Sequence, residues 1–79
     1  MLDQLNQINQ DALDELQEID AQAELDEWYA RRIGRKGEVT LMLRRVGELP
    51  KEERPAFGRR ANEIKNELEA AYETRAEQI

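Results

Sequence analysis

Apolar residues return at steps of three and four along almost the whole chain, and that periodicity restricts the fold to packed helices. Leu2, Leu5, Ile8, Ala12, Leu16 and Ile19 draw one stripe. Leu25, Tyr29, Ile33, Val39, Leu43 and Val46 draw a second, in which Lys36 is the polar member. Phe57, Ala61, Ile64, Leu68, Tyr72 and Ile79 draw a third, and its members Phe57, Leu68 and Ile79 stand eleven apart, a period of a nearly straight helix. Such spacing lines one face of a helix, whereas a half-buried strand would alternate. The periodicity is what opposes disorder in a chain that is 38% charged. With 79 residues there is room for one small domain and a thin core, and richness in Ala, Leu, Glu, Gln and Arg suits helices.

Glycine and proline divide the stripes. Asp20 precedes the second and can cap it. Gly34 and Gly37 flank Lys36 inside it, and a helix-interior Gly costs ~1 kcal/mol relative to Ala, so residues 34–37 are a weak point, a kink or a place of close approach. Gly47-Glu48-Leu49-Pro50 reads as a turn. Arg54 precedes a proline and avoids the helical region, so it breaks or caps, and Pro55 suits the first helical position. The expected elements are helices over about 2–19, 21–46 and 55–79 with a turn at 47–51. A short turn between two long helices makes them antiparallel neighbours. The predicted fold is therefore all-α: an antiparallel two-helix coiled-coil hairpin about 40 Å long, with the first helix packed at its base, away from the turn.

Charge is unevenly spread. Residues 1–30 carry nine acids and no base, residues 31–60 ten bases and four acids, and residues 61–79 five acids and two bases. The net −6 thus conceals a basic middle. Helix-flank ion pairing is the bland account of such a cluster, and phosphate contact the functional one. The candidate nucleic-acid-binding residues are Arg31, Arg35, Lys36, Arg44, Arg45, Lys51, Arg54, Arg59 and Arg60. Of these, Arg44, Arg45, Arg59 and Arg60 are also candidate ion-pair partners of Glu38, Glu48 and Glu63.

The chain has no Cys, His or Ser, which excludes a disulfide framework, a thiolate or imidazole zinc site and a Ser or Cys nucleophile with a His base. Gly34-Arg35-Lys36-Gly37 matches neither nucleotide-binding glycine fingerprint. The adjacent acids Glu52 and Glu53 suit a helix start better than acid–base work. Trp28 and Tyr29 read as core, and Asn62 and Lys65 as solvated helix residues. No catalytic residue and no metal ligand is expected. No apolar run approaches the ~20 residues of a membrane span.

Two stretches carry a family resemblance. Leu25, then Gly34-Arg35-Lys36-Gly37 and Thr40, resembles the L…(Y)LGKKG-x-[LV]-T stretch of bacterial phenylalanyl-tRNA synthetase alpha subunits. Leu49-Pro50-Lys51-Glu52-Glu53-Arg54-Pro55, with Gly58, Asn62 and Lys65 following, resembles that family's LP-x-EERP-x-x-G-x-x-x-N-x-x-K stretch. The two lie in order and at the family's spacing over roughly residues 25–65. Arg32, Ile33 and Arg35 stand where the family usually has Tyr, Leu and Lys, so Arg32 puts a base where an aromatic would pack. The resemblance implies the N-terminal arm of the alpha subunit, an antiparallel coiled coil that contacts the phenylalanine tRNA bound mainly by the other half of an (αβ)₂ cytoplasmic enzyme. It implies a beta subunit and that tRNA as partners, with no membrane. It implies ATP and magnesium as cofactors of the parent, whose class II catalytic domain would follow residue 79, so that this chain looks like an excised domain without an active site. The alternative is a structural coiled-coil module whose basic half binds an acidic protein. The helical tRNA arm of the seryl enzyme is a third reading, which lacks these two motifs.

Overall fold

The chain folds into helices wherever its apolar stripes run unbroken. The computed structural model describes residues 2–79. These form α1 (Leu2–Glu18), α2 (Gln22–Arg32), α3 (Glu38–Arg44) and α4 (Arg54–Gln78), and two 3₁₀ turns, Val46–Glu48 and Lys51–Glu53, join α3 to α4. Among the described residues there is no strand. The molecule measures 43 × 18 × 15 Å.

The core follows most of the stripes, with Trp28 and Met42 added and the outermost members Leu2 and Ile79 exposed. Leu5, Ala12 and Leu16 of α1, Leu25 and Trp28 of α2, Val39 and Met42 of α3, and Phe57, Ala61, Ile64 and Leu68 of α4 are buried, together with Ile19 and Ile33. Fully burying one of the larger of these side chains stabilises by about 1.5–3 kcal/mol. The helix α4 is the spine, in contact with α1, α2 and α3. Polar bonds fix how the other helices lie on it. The Trp28 indole donates to the carbonyl of Ala12 at 2.9 Å, tying α2 to α1 inside the core. Arg75 Nε donates to the Ile19 carbonyl at 2.8 Å and so caps the C-terminal end of α1 with a cation, where the helix dipole favours one. At the same end the rings of Tyr29 and Tyr72 lie 4.8 Å apart. The Tyr72 hydroxyl donates to Asp26 at 2.8 Å, a bond that holds the phenol above its ordinary pKa.

Three readings of the sequence need correction. First, α1 does not sit at the far end from the turn. Leu2 and Asp3 line a surface groove with Leu49, Glu52, Glu53, Ala56 and Phe57, and Arg60 donates to Asn6. The contacts pair Asn6 with Arg60, Asn9 with Glu67 and Ile19 with Arg75, so α1 runs in the same direction as α4 and covers it from the turn downwards. Packing Leu5, Ala12 and Leu16 against the apolar face of α4 requires that length of overlap. Second, no continuous helix spans 21–46, because the chain leaves helical geometry after Arg32 and re-enters it at Glu38. The interruption resets the apolar period, so Val39 and Met42 are buried while Leu43 and Val46 are half-buried. Third, the caps differ. Ala21, not Asp20, holds the N-cap position of α2, and Arg54 is itself helical with φ −59° and ψ −44°, placing Pro55 in the first turn behind it.

Candidate nucleic-acid interface

The break between α2 and α3 is built by its two glycines. The amides of Ile33 and Gly34 both donate to the Tyr29 carbonyl at 2.9 Å, which ends α2 in a tight turn. The Gly34 carbonyl then accepts from the Gly37 amide and from the Thr40 hydroxyl, each at 2.8 Å. Neither glycine has a positive φ, so left-handed geometry is not what they supply. They supply space. A Cβ on Gly34 would lie 2.8 Å from the Ala30 carbonyl oxygen, and one on Gly37 would lie 2.7 Å from the carbonyl carbon of Arg32. Both neighbours are backbone and cannot swing away.

This loop changes the reading of Lys36. In an unbroken helix it would occupy the apolar seam. Here Ile33 and Val39 take the core positions on either side, and Arg35 and Lys36 are exposed. Among the described residues neither has an ion pair or a side-chain hydrogen bond.

The other candidate cations fall into two groups. Arg31 pairs with Glu15 at 3.0 Å and with Glu27 at 3.8 Å. Arg45 pairs with Glu48 at 3.0 Å, and Arg60 holds Asn6 at 2.8 Å with Glu63 and Glu67 just under 4 Å away. Arg54 donates to the carbonyls of Leu49 and Gly47 at 3.0 and 3.1 Å and so closes the turn between the 3₁₀ segments. These four are engaged within the protein. By contrast Arg44, Lys51 and Arg59 are exposed and, among the described residues, have no such partner. Glu38, a candidate partner of the α3 arginines, instead pairs with Arg32 at 3.0 Å. Lys65 is half-buried and also lacks an ion pair among the described residues. It lies beyond the basic middle as the charge count bounds it, and only its place in the second motif could have marked it. The structure thus leaves Arg35 and Lys36 together on the loop, Arg44 at the end of α3, Lys51 in the turn and Arg59 on α4.

Glu15 is the acid most affected by these pairings. The hydrogen bond from Arg31, with the charges of Arg31 and Arg32 and a bond from Arg32 behind it, holds its carboxyl below the ordinary glutamate range despite partial burial. Glu52 and Glu53 are exposed beside the groove. Among the described residues no group of three or more acidic side chains could hold a metal ion. Among the described residues no helix is long and apolar enough to cross a membrane.

A family model described as aminoacyl tRNA synthetase class II, N-terminal domain, matches residues 20–79. The chain belongs to this family. The match begins just after α1 and takes in the break, both 3₁₀ turns and all of α4. Among curated proteins, the chain is similar to the phenylalanine–tRNA ligase alpha subunit of Heliobacterium modesticaldum, 39% identical over 79 residues, which are 100% of this chain and 23% of that protein. The alpha subunit of Clostridium perfringens is 45% identical over 73 residues, 92% of this chain and 22% of its own length. That of Thermotoga neapolitana is 31% identical over 72 residues, 91% of this chain and 22% of its own. The chain thus spans less than a quarter of these relatives, which are the alpha subunits that the two motifs resemble. No solved structure gives a significant match.

Proposed function

We propose that this chain is the tRNA-binding arm of a phenylalanine–tRNA ligase alpha subunit and positions the phenylalanine tRNA for aminoacylation. The observation that carries the reading is the presentation of Arg35 and Lys36, exposed and, among the described residues, unpaired on a loop whose glycines let backbone pass close to backbone. Unpaired cations are the ones free to replace the counterions of a phosphate chain. Contacts of that kind fix register and give affinity without reading bases. No aromatic platform is offered, since Trp28 and Phe57 are buried and Tyr29 and Tyr72 are half-buried against each other, so base stacking contributes little. In this reading α2 with α3 and α4 are the two limbs of an antiparallel arm, and α1 stiffens it. A catalytic body, ATP, magnesium and a beta subunit belong to the parent enzyme, which works in the cytoplasm.

The test uses the full ligase with Arg35→Glu and Lys36→Glu together. Loss of uniform tRNA binding raises the KM for tRNA by about tenfold or more while turnover falls less, and adenylate formation from phenylalanine and ATP stays near wild type. Both positions are exposed, so helical content measured by circular dichroism should be unchanged. Equal loss of adenylate formation and tRNA charging, with helicity intact, would mean that the arm supports the catalytic body instead. Unchanged charging, with an acidic protein captured by the wild-type arm but not by the variant, would favour the interaction-module alternative.

A further inference from the structure

One guanidinium spans the break. Arg32, the last residue of α2, donates Nη1 to both carboxylate oxygens of Glu38, the first residue of α3, at 3.0 Å each. Its Nη2 donates to Glu15 of α1 at 3.3 Å, and the second oxygen of Glu15 accepts from Arg31 at 3.0 Å. The Arg32 side chain is 12% exposed, against 45% for Glu38 and 35% for Glu15. Three helices therefore meet on one largely buried cation, and the loop Ile33–Gly37 is the segment closed between its points of attachment. A planar fork suits this double engagement, whereas an ammonium is a single point charge.

We propose that Arg32 is a positioning residue: its pairing with Glu38 and Glu15 holds the Gly34–Gly37 loop in one closed form and thereby presents Arg35 and Lys36. Presentation to RNA rests on the function proposed above, while the hold on the loop does not. Two glycines in five residues leave the loop much conformational freedom to lose, and fixing its ends removes part of that freedom. The effect is on conformation more than on stability. Both carboxylates reach solvent, so removing Arg32 strands no buried charge.

The test compares the 79-residue chain with its Arg32→Met and Glu38→Gln variants. Amide exchange is followed at Gly37, whose N–H bonds inside the loop, and at Leu68 in the core of α4. Affinity for transcribed phenylalanine tRNA is measured at low salt, with and without Arg35→Ala and Lys36→Ala. Exchange at Gly37 should rise by about tenfold or more in both variants with Leu68 unmoved. RNA affinity should fall about threefold to tenfold, as it does when the competent form is populated less by that factor. The fall should vanish once the two loop cations are gone. Gly37 exchange equal to wild type in both variants overturns the proposal, and so does a parallel rise at Leu68, which signals plain destabilisation. An RNA loss undiminished without Arg35 and Lys36 overturns it too, because Arg32 would then touch RNA itself. Wild-type chain that ignores tRNA while Gly37 exchange rises in the variants refutes the RNA reading and supports the hold on the loop.

Discussion

Glycine has opposite meanings at different places in this chain. At Gly34 and Gly37 an added methyl group would press on backbone atoms at under 3 Å, so the break exists because these residues have no Cβ. At Gly58, inside α4, an added Cβ meets nothing within 4 Å. Gly58→Ala therefore removes backbone entropy from the unfolded chain at no steric cost and should raise stability by about 0.5–1 kcal/mol. Gly37→Ala should lower it by about 1–3 kcal/mol, the usual cost of forcing atoms into filled space. Urea melts of the two variants check the contrast, and a destabilised Gly58→Ala would mean that α4 has a packing constraint at that point. Arginine divides in the same way. Arg54 and Arg75 hold carbonyls, Arg32 holds carboxylates, and Arg35 faces solvent.

Among the elements, α1 carries an acid whose titration its partners shift. Glu15 links it to the C-terminal end of α2 through Arg31 and Arg32, and those partners hold its carboxyl below the ordinary range. A group whose folded pKa is depressed adds stability that is complete above its unfolded pKa, about 4.3 for Glu. That stability is lost as pH falls through the lower folded value. Glu15→Gln should therefore be less stable than wild type at neutral pH, with the two melting curves converging as pH drops through the carboxylate range. Urea melts across that range measure it, and a difference independent of pH would mean that Glu15 acts through packing alone. Because the pair is partly exposed, solvent screening keeps the whole effect small.

Over the whole molecule, the acids outnumber the bases, yet the bases left unpaired among the described residues lie at the break, at the end of α3, in the turn and on α4. Under the proposed function this distribution sets how salt acts. Each phosphate contact to a single strand or duplex contributes roughly −0.7 to −0.9 to the slope of log affinity against log salt. Arg35→Ala with Lys36→Ala should make the slope shallower by about 1.5, whereas Arg45→Ala, at a position already paired with Glu48, should leave it nearly unchanged. Equal changes from both substitutions would mean that overall charge, not the loop, draws RNA.

The amino-acid sequence alone determined the all-helical class, most of the core face, the turn near Pro50 and, through two spaced motifs, the family, because these follow from periodicity, proline geometry and local residue order. Leu5, Leu16, Leu25, Phe57, Ala61, Ile64 and Leu68 are buried as their spacing requires. Only the tertiary structure decided the rest. Periodicity says which face of a helix is apolar but not where along a neighbour it docks, so the position of α1 beside the turn was illegible. A glycine pair signals weakness, but whether the chain bends or breaks depends on whether Ile33 and Val39 can both reach the core, and they do. Charge counting marked nine candidate cations, with Arg44, Arg45, Arg59 and Arg60 also readable as ion-pair partners of Glu38, Glu48 and Glu63. Which of the cations are spent inside the protein depends in part on groups distant in sequence, as Glu15 is from Arg31 and Asn6 from Arg60, and only folding brings those groups within reach.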